Sequence, residues 1–287
     1  MNAGEPRTVK DSFSLADLIR VEDLLLSEVR QDLASLWDLA EDVTNSYEHL
    51  SAILDEGFHE VAPEFEGAIA ASVLFRAARR SAALELLNIG RRHLAEAHTN
   101  RRRALDLLAF SWIAWRTPPA ARQWLHANRN WKEYASTYSN RAIGEALKSL
   151  GDHVEQWHRG LSQRVHPSRK SLSPALSVER GPERSHYRVG FFDTLPYEGT
   201  NHMIGCVAEH IEEFVLMHLE CQSAFVVAAL SAEPWRPYHE RMASGLGILV
   251  GRMDAERERS KHAVDSWENH RQTMRKRVIA SHRSRTG

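Results

Sequence analysis

No run of 18 apolar residues occurs anywhere in the 287, and the N-terminus has no charged-then-apolar leader. Neither a membrane span nor a signal peptide is therefore expected. Cysteine is nearly absent. Cys206 and Cys221 fall fifteen residues apart on one predicted helix, about 22 Å at the helical rise, which is too far for a disulfide within a straight helix. They read as two small core-filling thiols in a reducing cytoplasm. CxxC, His-Glu-x-x-His, a glycine-rich phosphate loop and internal repeats of 20–50 residues are all missing, so the metal, phosphate-loop and solenoid architectures that those patterns signal are not indicated.

Histidine, by contrast, is plentiful at sixteen, and Glu-x-x-His pairs invite a di-iron bundle reading. Three occur: Glu56/His59, Glu155/His158 and Glu183/His186. A chain this rich in Glu and His supplies one or two by chance, on the order expected from composition alone. The first lies at a predicted helix end beside Gly57 and the third in a loop, whereas bundle-core ligands must sit mid-helix and face inward. No metal and no cofactor are expected.

With 43% apolar and 26% charged residues, the chain can bury one large core or two modest ones. Net charge is −1, but unevenly spread. Residues 1–60 hold fourteen acids against four bases, and residues 252–287 hold ten bases against five acids. Two readings stand: a nucleic-acid arm at the basic end, or an acidic first helix lying against a basic last one.

Residues 1–12 read as a disordered lead. From Ser14 the pattern is helical, with Asp17 in the first turn. Leu26, Val29, Leu33, Leu36, Ala40, Val43, Tyr47, Leu50 and Leu54 then alternate steps of three and four, a coiled-coil-grade seam. It can pack on sister helices or on a second copy. Further helices are predicted over roughly 64–97 (with a kink at Gly90), 99–116, 119–127 and 137–165. Residues 167–200, with four prolines, read as a long loop or lid. Its one strand-like piece is 186–192. Two long helices follow, 202–231 and 238–280, separated by Pro234 and Pro237. Trp131 and Trp235, each beside a break, are the tryptophans expected to be exposed. The expected fold is all-α: a bundle over 13–166, the loop 167–200, and C-terminal helices over 201–287 with a basic tail.

The segment Trp157-His158-Arg159-Gly160-Leu161-Ser162-Gln163-Arg164-Val165-His166-Pro167-Ser168 holds the principal chemical candidates. Arg159, Ser162 and His166 fall within about 60° of one another on a helical wheel, apart from the apolar stripe of Val154, Leu161 and Val165. Pro167 disfavours helical geometry at His166, which sets an imidazole at a helix C-terminus, where the dipole favours its protonated form. Guanidinium plus titratable imidazole suits phosphodiester cleavage: the arginine holds the phosphate and the histidine moves a proton. The structural alternative is that His166 closes the helix, Ser162 bonds backbone and Arg159 pairs with Glu155.

The string Leu161-Ser162-x-x-Val165-His166-Pro167-Ser168 resembles the Ser-x-x-x-His-Pro-Ser signature of a family of bacterial all-helical proteins placed near the HEPN superfamily. Upstream, Phe75-Arg76-Ala77, Leu86-Leu87-x-x-Gly90 and Arg103-Ala104-Leu105-Asp106 are similar to that family's helix pair, with Asp106 where glutamate is usual. The resemblance covers about residues 65–170. It implies a helical bundle that pairs so that an Arg-x(4–6)-His motif from each copy meets at the interface. It also implies a metal-independent ribonuclease of a toxin–antitoxin or antiphage system, with RNA as substrate and a partner protein in some cases. Arg159 and His166 fit the motif length, and Gly160 stands where active members carry Asn, Asp or His. Arg103 and Asp106 are carried as a buried ion pair supporting the motif helix. Arg271, Arg275, Lys276 and Arg277 of the basic tail are candidate RNA phosphate contacts. The other class of function is a catalytically inert helical scaffold that binds itself or a partner through its long helices.

Overall fold

The computed structural model describes residues 15–126, 131–165, 176–180, 185–189 and 200–283, with side chains described over 15–126, 132–162 and 205–259. The fold is all-α. Among the described residues there are ten helices: α1 (Leu15–Asp32), α2 (Ala34–Glu60), α3 (Glu66–Gly90), α4 (Leu94–Arg116), α5 (Pro118–Leu125), α6 (Trp131–Thr137), α7 (Asn140–Leu150), α8 (Asp152–Val165), α9 (Thr200–Leu230) and α10 (Arg236–Arg283).

The seam residues do what their spacing requires. Val29, Leu36, Ala40, Val43, Tyr47, Leu50 and Leu54 are all buried, and α3, α9 and α10 of the same chain cover them. Leu26 and Leu33 are half-buried against the same core, so the seam is spent mainly on sister helices. The helix that carries it is divided at Leu33, whose ψ of 33° departs from helical geometry.

Gly90 ends α3 rather than kinking it. A Cβ there would lie 2.7 Å from Leu26 Cδ1 and 3.0 Å from the Trp37 ring, so α1 and α2 can approach this point only over a residue without a side chain. The chain then turns through Arg92, at φ 62°, into α4. The predicted helix over 137–165 is likewise two helices, parted at Gly151, with Ser139 capping the first through the Ala142 amide at 3.3 Å.

One core joins α1–α4, α7 and α8 to α9 and α10. Helix α9 is its apolar axis: Val207, Ile211, Phe214, Val215, Phe225, Val226 and Leu230 are buried. Its stretch Gly205–Leu230 is also the one described helix long and apolar enough to cross a membrane, and most of it is packed inside the bundle. Trp235 is buried as well, against the expectation of exposure. Its ring fills the space over Gly57 and meets Trp115 at 4.9 Å between centroids. The Trp131 side chain lies outside the described residues.

Inside the segment expected to be loop, β1 (Leu176–Arg180) pairs antiparallel with β2 (Ser185–Val189), with Leu176 opposite Val189 and Arg180 opposite Ser185. The strand-like piece therefore has a partner, as an extended segment needs to satisfy its backbone.

Acidic α2 and the first half of α10 do meet. Asp42 pairs with Arg252 at 2.5 Å, and Glu56 holds Arg241 in a fork at 2.6 and 3.0 Å. That pairing lowers the Glu56 carboxyl from its usual value. Tyr238 donates to Glu60 at 2.7 Å; this bond, with burial, pushes the phenol up to about 12. A phenol raised in the folded state adds stability that is complete below its unfolded value near 10 and lost as pH rises through the folded value. The urea midpoint is accordingly expected to fall between pH 10 and pH 12. Tyr238→Phe should lower stability at pH 7 by about 1 kcal/mol and flatten part of that alkaline fall. The buried Tyr47 and Tyr138, also raised by burial, sustain the rest.

Candidate functional site

Helix α8 presents two faces. Val154, His158 and Leu161 are buried, while Asp152, His153, Arg159 and Gly160 face solvent. Arg159 is 74% exposed and pairs with Glu155, one turn back, at 2.6 Å. Ser162 donates to the His158 carbonyl at 2.8 Å and accepts from Arg102 Nη1 at 2.5 Å. Its hydroxyl therefore ties α8 to α4. His166 lies outside the described residues, as do the side chains of Arg271, Arg275, Lys276 and Arg277.

The inner face of α8 is fixed by α4. His158 Nε2 meets Asp106 Oδ1 at 2.8 Å, and Arg102 Nε lies 3.8 Å from Asp106 Oδ2. Asp106 does support the motif helix, but the arginine beside it is Arg102, at the i,i+4 position, and not Arg103, which is exposed. Three residues apart, Arg103 and Asp106 are close enough along the helix to pair; here Asp106 turns toward α8 and Arg103 toward water. Glu155 and His158 also diverge, one to Arg159 and the other to Asp106, so their Glu-x-x-His spacing does not converge on a common point. Among the described residues no three His, Cys, Asp or Glu side chains group to hold a metal ion.

Among the described residues, a buried ion pair is formed one residue earlier, about 100° round α4. Arg101 is 2% exposed. Its Nε donates to Glu85 of α3, its Nη1 reaches Glu213 of α9 at 2.7 Å, and its Nη2 donates to the His210 carbonyl at 3.4 Å. The second Glu85 oxygen takes His218 Nε2 at 3.0 Å, and His218 Nδ1 meets the Tyr47 hydroxyl at 2.7 Å. All these bonds are met at once when Nε2 carries the imidazole proton and the tyrosine donates to Nδ1. Burial works against the Arg101 charge, but Glu85 and Glu213 outweigh it and hold the guanidinium above its usual range. Burial, with Cys221 and Glu85 nearby, holds Tyr47 well above the ordinary phenol value.

The result is a polar string, Tyr47–His218–Glu85–Arg101–Glu213, running from the centre of the bundle to its surface. It ends beside α8: Arg101, Glu213, Trp157 and Gly160 line a cavity of about 80 Å³. The buried string and the motif helix share that wall. Sequence reading passes over the string, although Glu85 and His218 each stand inside an apolar run (Ala-Leu-Glu-Leu-Leu and Leu-Met-His-Leu). A lone ionisable residue at a core register is the signal that marks such a group.

No family model, curated protein or solved structure matches this chain.

Proposed function

We propose that the chain is a metal-independent endoribonuclease of the HEPN kind, active as a homodimer in which the outward face of α8 meets its counterpart. The observation that carries this is Arg159: a guanidinium held out from the surface on a helix whose inner face is anchored by Asp106, His158, Arg102 and Ser162. Such anchoring sets a phosphate-binding group in place before substrate arrives. Gly160 beside it leaves open space, with no atom within 4 Å of an added Cβ, which suits close approach of a second copy. The buried seam of α2 cannot supply that contact.

In this reading Arg159 binds the scissile phosphate and turns from Glu155 to do so. His166 takes the proton of the 2′-hydroxyl as that oxygen attacks phosphorus. The P–O5′ bond breaks, and an imidazolium, that of His166 or of its counterpart, returns a proton to the 5′-oxygen, leaving a 2′,3′-cyclic phosphate and a 5′-hydroxyl. Ser162 acts as a positioning residue. The basic residues of the tail, Arg271, Arg275, Lys276 and Arg277, hold flanking phosphates. A toxin or antiphage role with an inhibitory partner protein belongs to the same reading.

The second reading, an inert helical scaffold, has one observation in its favour: Glu155 already matches the Arg159 charge at 2.6 Å. The two separate on single-stranded RNA with chelator present. Wild type is expected to cut and to leave cyclic phosphate ends. Arg159→Ala and His166→Ala are each expected to lose about 10²–10⁴ of the rate while keeping the helical circular dichroism and the oligomeric state of wild type. Cutting that survives both changes, or no cutting by wild type, assigns the chain to the scaffold class.

A further inference from the structure

The side of α3 that faces α1 and α2 carries a groove that the proposed cleavage reaction does not use. Its volume is about 520 Å³, and Arg30, Arg76, Arg79 and Arg80 line it above Trp37 and Leu86. That volume is within the range of small-molecule pockets.

Arg76, Arg79 and Arg80 stand at i, i+3 and i+4, so their like charges share one helical face and repel. Their counter-charges are incomplete. Arg76 takes Asp55 at 2.5 Å and Glu48 at 3.4 Å. Arg79 reaches Glu48 only at 3.7 Å and otherwise donates to the Asn45 side-chain oxygen at 3.1 Å. Arg80 makes no ion pair among the described residues. Glu41, the one acid lining the groove, is already taken by Arg30 and by the Trp37 indole, each at 2.6 Å. The neighbouring Arg79 and Arg80 thus leave two planar donor forks short of an anion, and a guanidinium fork matches a phosphate in shape and charge.

The other half of the groove is apolar. Ala83, Leu86 and Leu87 continue the same face of α3, and Leu87 lies about 10 Å beyond Arg80 along the helix. Trp37 closes this end, fixed by its indole bond to Glu41 and by the Arg30 guanidinium 5.2 Å from its ring centroid. We propose that the groove binds a small organic phosphate: the phosphate monoester on Arg79 and Arg80, its planar apolar body along Ala83 and Leu87, over a floor formed by the buried Trp37 and Leu86. The occupant needs both halves, because inorganic phosphate leaves the apolar end wet and an uncharged ring leaves the arginines unmatched.

Calorimetric titration of the full chain with naphthyl phosphate and with AMP, against inorganic phosphate and naphthol, tests this. At least one ester is expected to bind about tenfold or more tightly than both inorganic phosphate and naphthol. Arg79→Gln and Arg80→Gln should each weaken it by about tenfold. Both side chains are exposed, so the variants should keep the urea midpoint of wild type. Arg159→Ala should leave ester binding untouched, which keeps this site distinct from the cleavage site whatever the RNA assay gives. The proposal fails if neither ester outbinds inorganic phosphate, if binding persists with both arginines replaced, or if Arg159→Ala abolishes it.

Discussion

Replacing Glu85 with alanine is expected to lower the unfolding free energy by roughly 3–5 kcal/mol, the cost of breaking a buried ion pair from one side. Glu85 has no solvent exposure and uses both oxygens, one on Arg101 and one on His218. Its loss leaves a 2% exposed guanidinium with Glu213 and a distant carbonyl as its contacts, and strips His218 of its acceptor. Arg101→Met should cost a similar amount, because it leaves the Glu85 carboxylate buried and short of a cation. The double change Glu85→Leu with Arg101→Met is the informative one. It orphans no buried charge, and Glu213, 38% exposed, can return to water. Much of the lost stability should come back, apart from the share owed to the unsatisfied His218 N–H, so the double change will cost far less than the two single changes summed. Urea titration at pH 7, read by far-ultraviolet circular dichroism, measures all three. A Glu85→Ala cost below about 1 kcal/mol, the scale of a solvated surface pair, contradicts a dry network at the centre of the bundle.

That network also shows where sequence reading stops. Periodicity finds the buried stripe of α2, because Leu36, Ala40, Val43, Tyr47, Leu50 and Leu54 repeat at helical spacing whatever covers them. It finds the all-α class, since long polar–apolar stripes fit no sheet. It does not find the breaks at Leu33 and Gly151, where the junction residue's own carbonyl opens the next helix (Trp37 to Leu33, Glu155 to Gly151) and the apolar spacing in the sequence carries on past it. Nor does it place Trp235, whose burial depends on Gly57, far away in the chain, yielding room for the ring.

The site was legible in part. Ser162 lies at the edge of the core and Arg159 stands out from it into solvent, and Asp106 supports the motif helix. Its partners were not legible, because the run Arg101-Arg102-Arg103 offers three identical guanidinia about 100° apart. One is buried on Glu85, one bonds Ser162, and one faces water. Only the packing of α3, α8 and α9 around α4 tells them apart.

Phe225→Ala is expected to cost about 3–5 kcal/mol, a large share of the 5–15 kcal/mol typical of a folded domain. Phe225 is fully buried on α9, and three rings close on it edge-on: Phe75 at 4.7 Å, Trp115 at 5.7 Å and Trp112 at 6.2 Å between centroids. Those neighbours come from α3 and α4, so the truncation opens a cavity between helices instead of trimming a surface. Rings locked edge to face relax poorly into such a space, which places the cost toward the upper part of the range. Phe225→Leu, which keeps most of the volume, should cost much less. Two tryptophans line the cavity, so their fluorescence and the near-ultraviolet circular dichroism should change in the folded variant even where its helix content does not. The same measurement decides what α9 is for. A stretch apolar enough to cross a membrane owes its composition here to burial among its own sister helices, and on that account Phe225 carries several kcal/mol of the fold in plain buffer. A loss of under about 1 kcal/mol would mean that α9 is not packed among these rings in solution, and that its apolar side faces something other than α3 and α4.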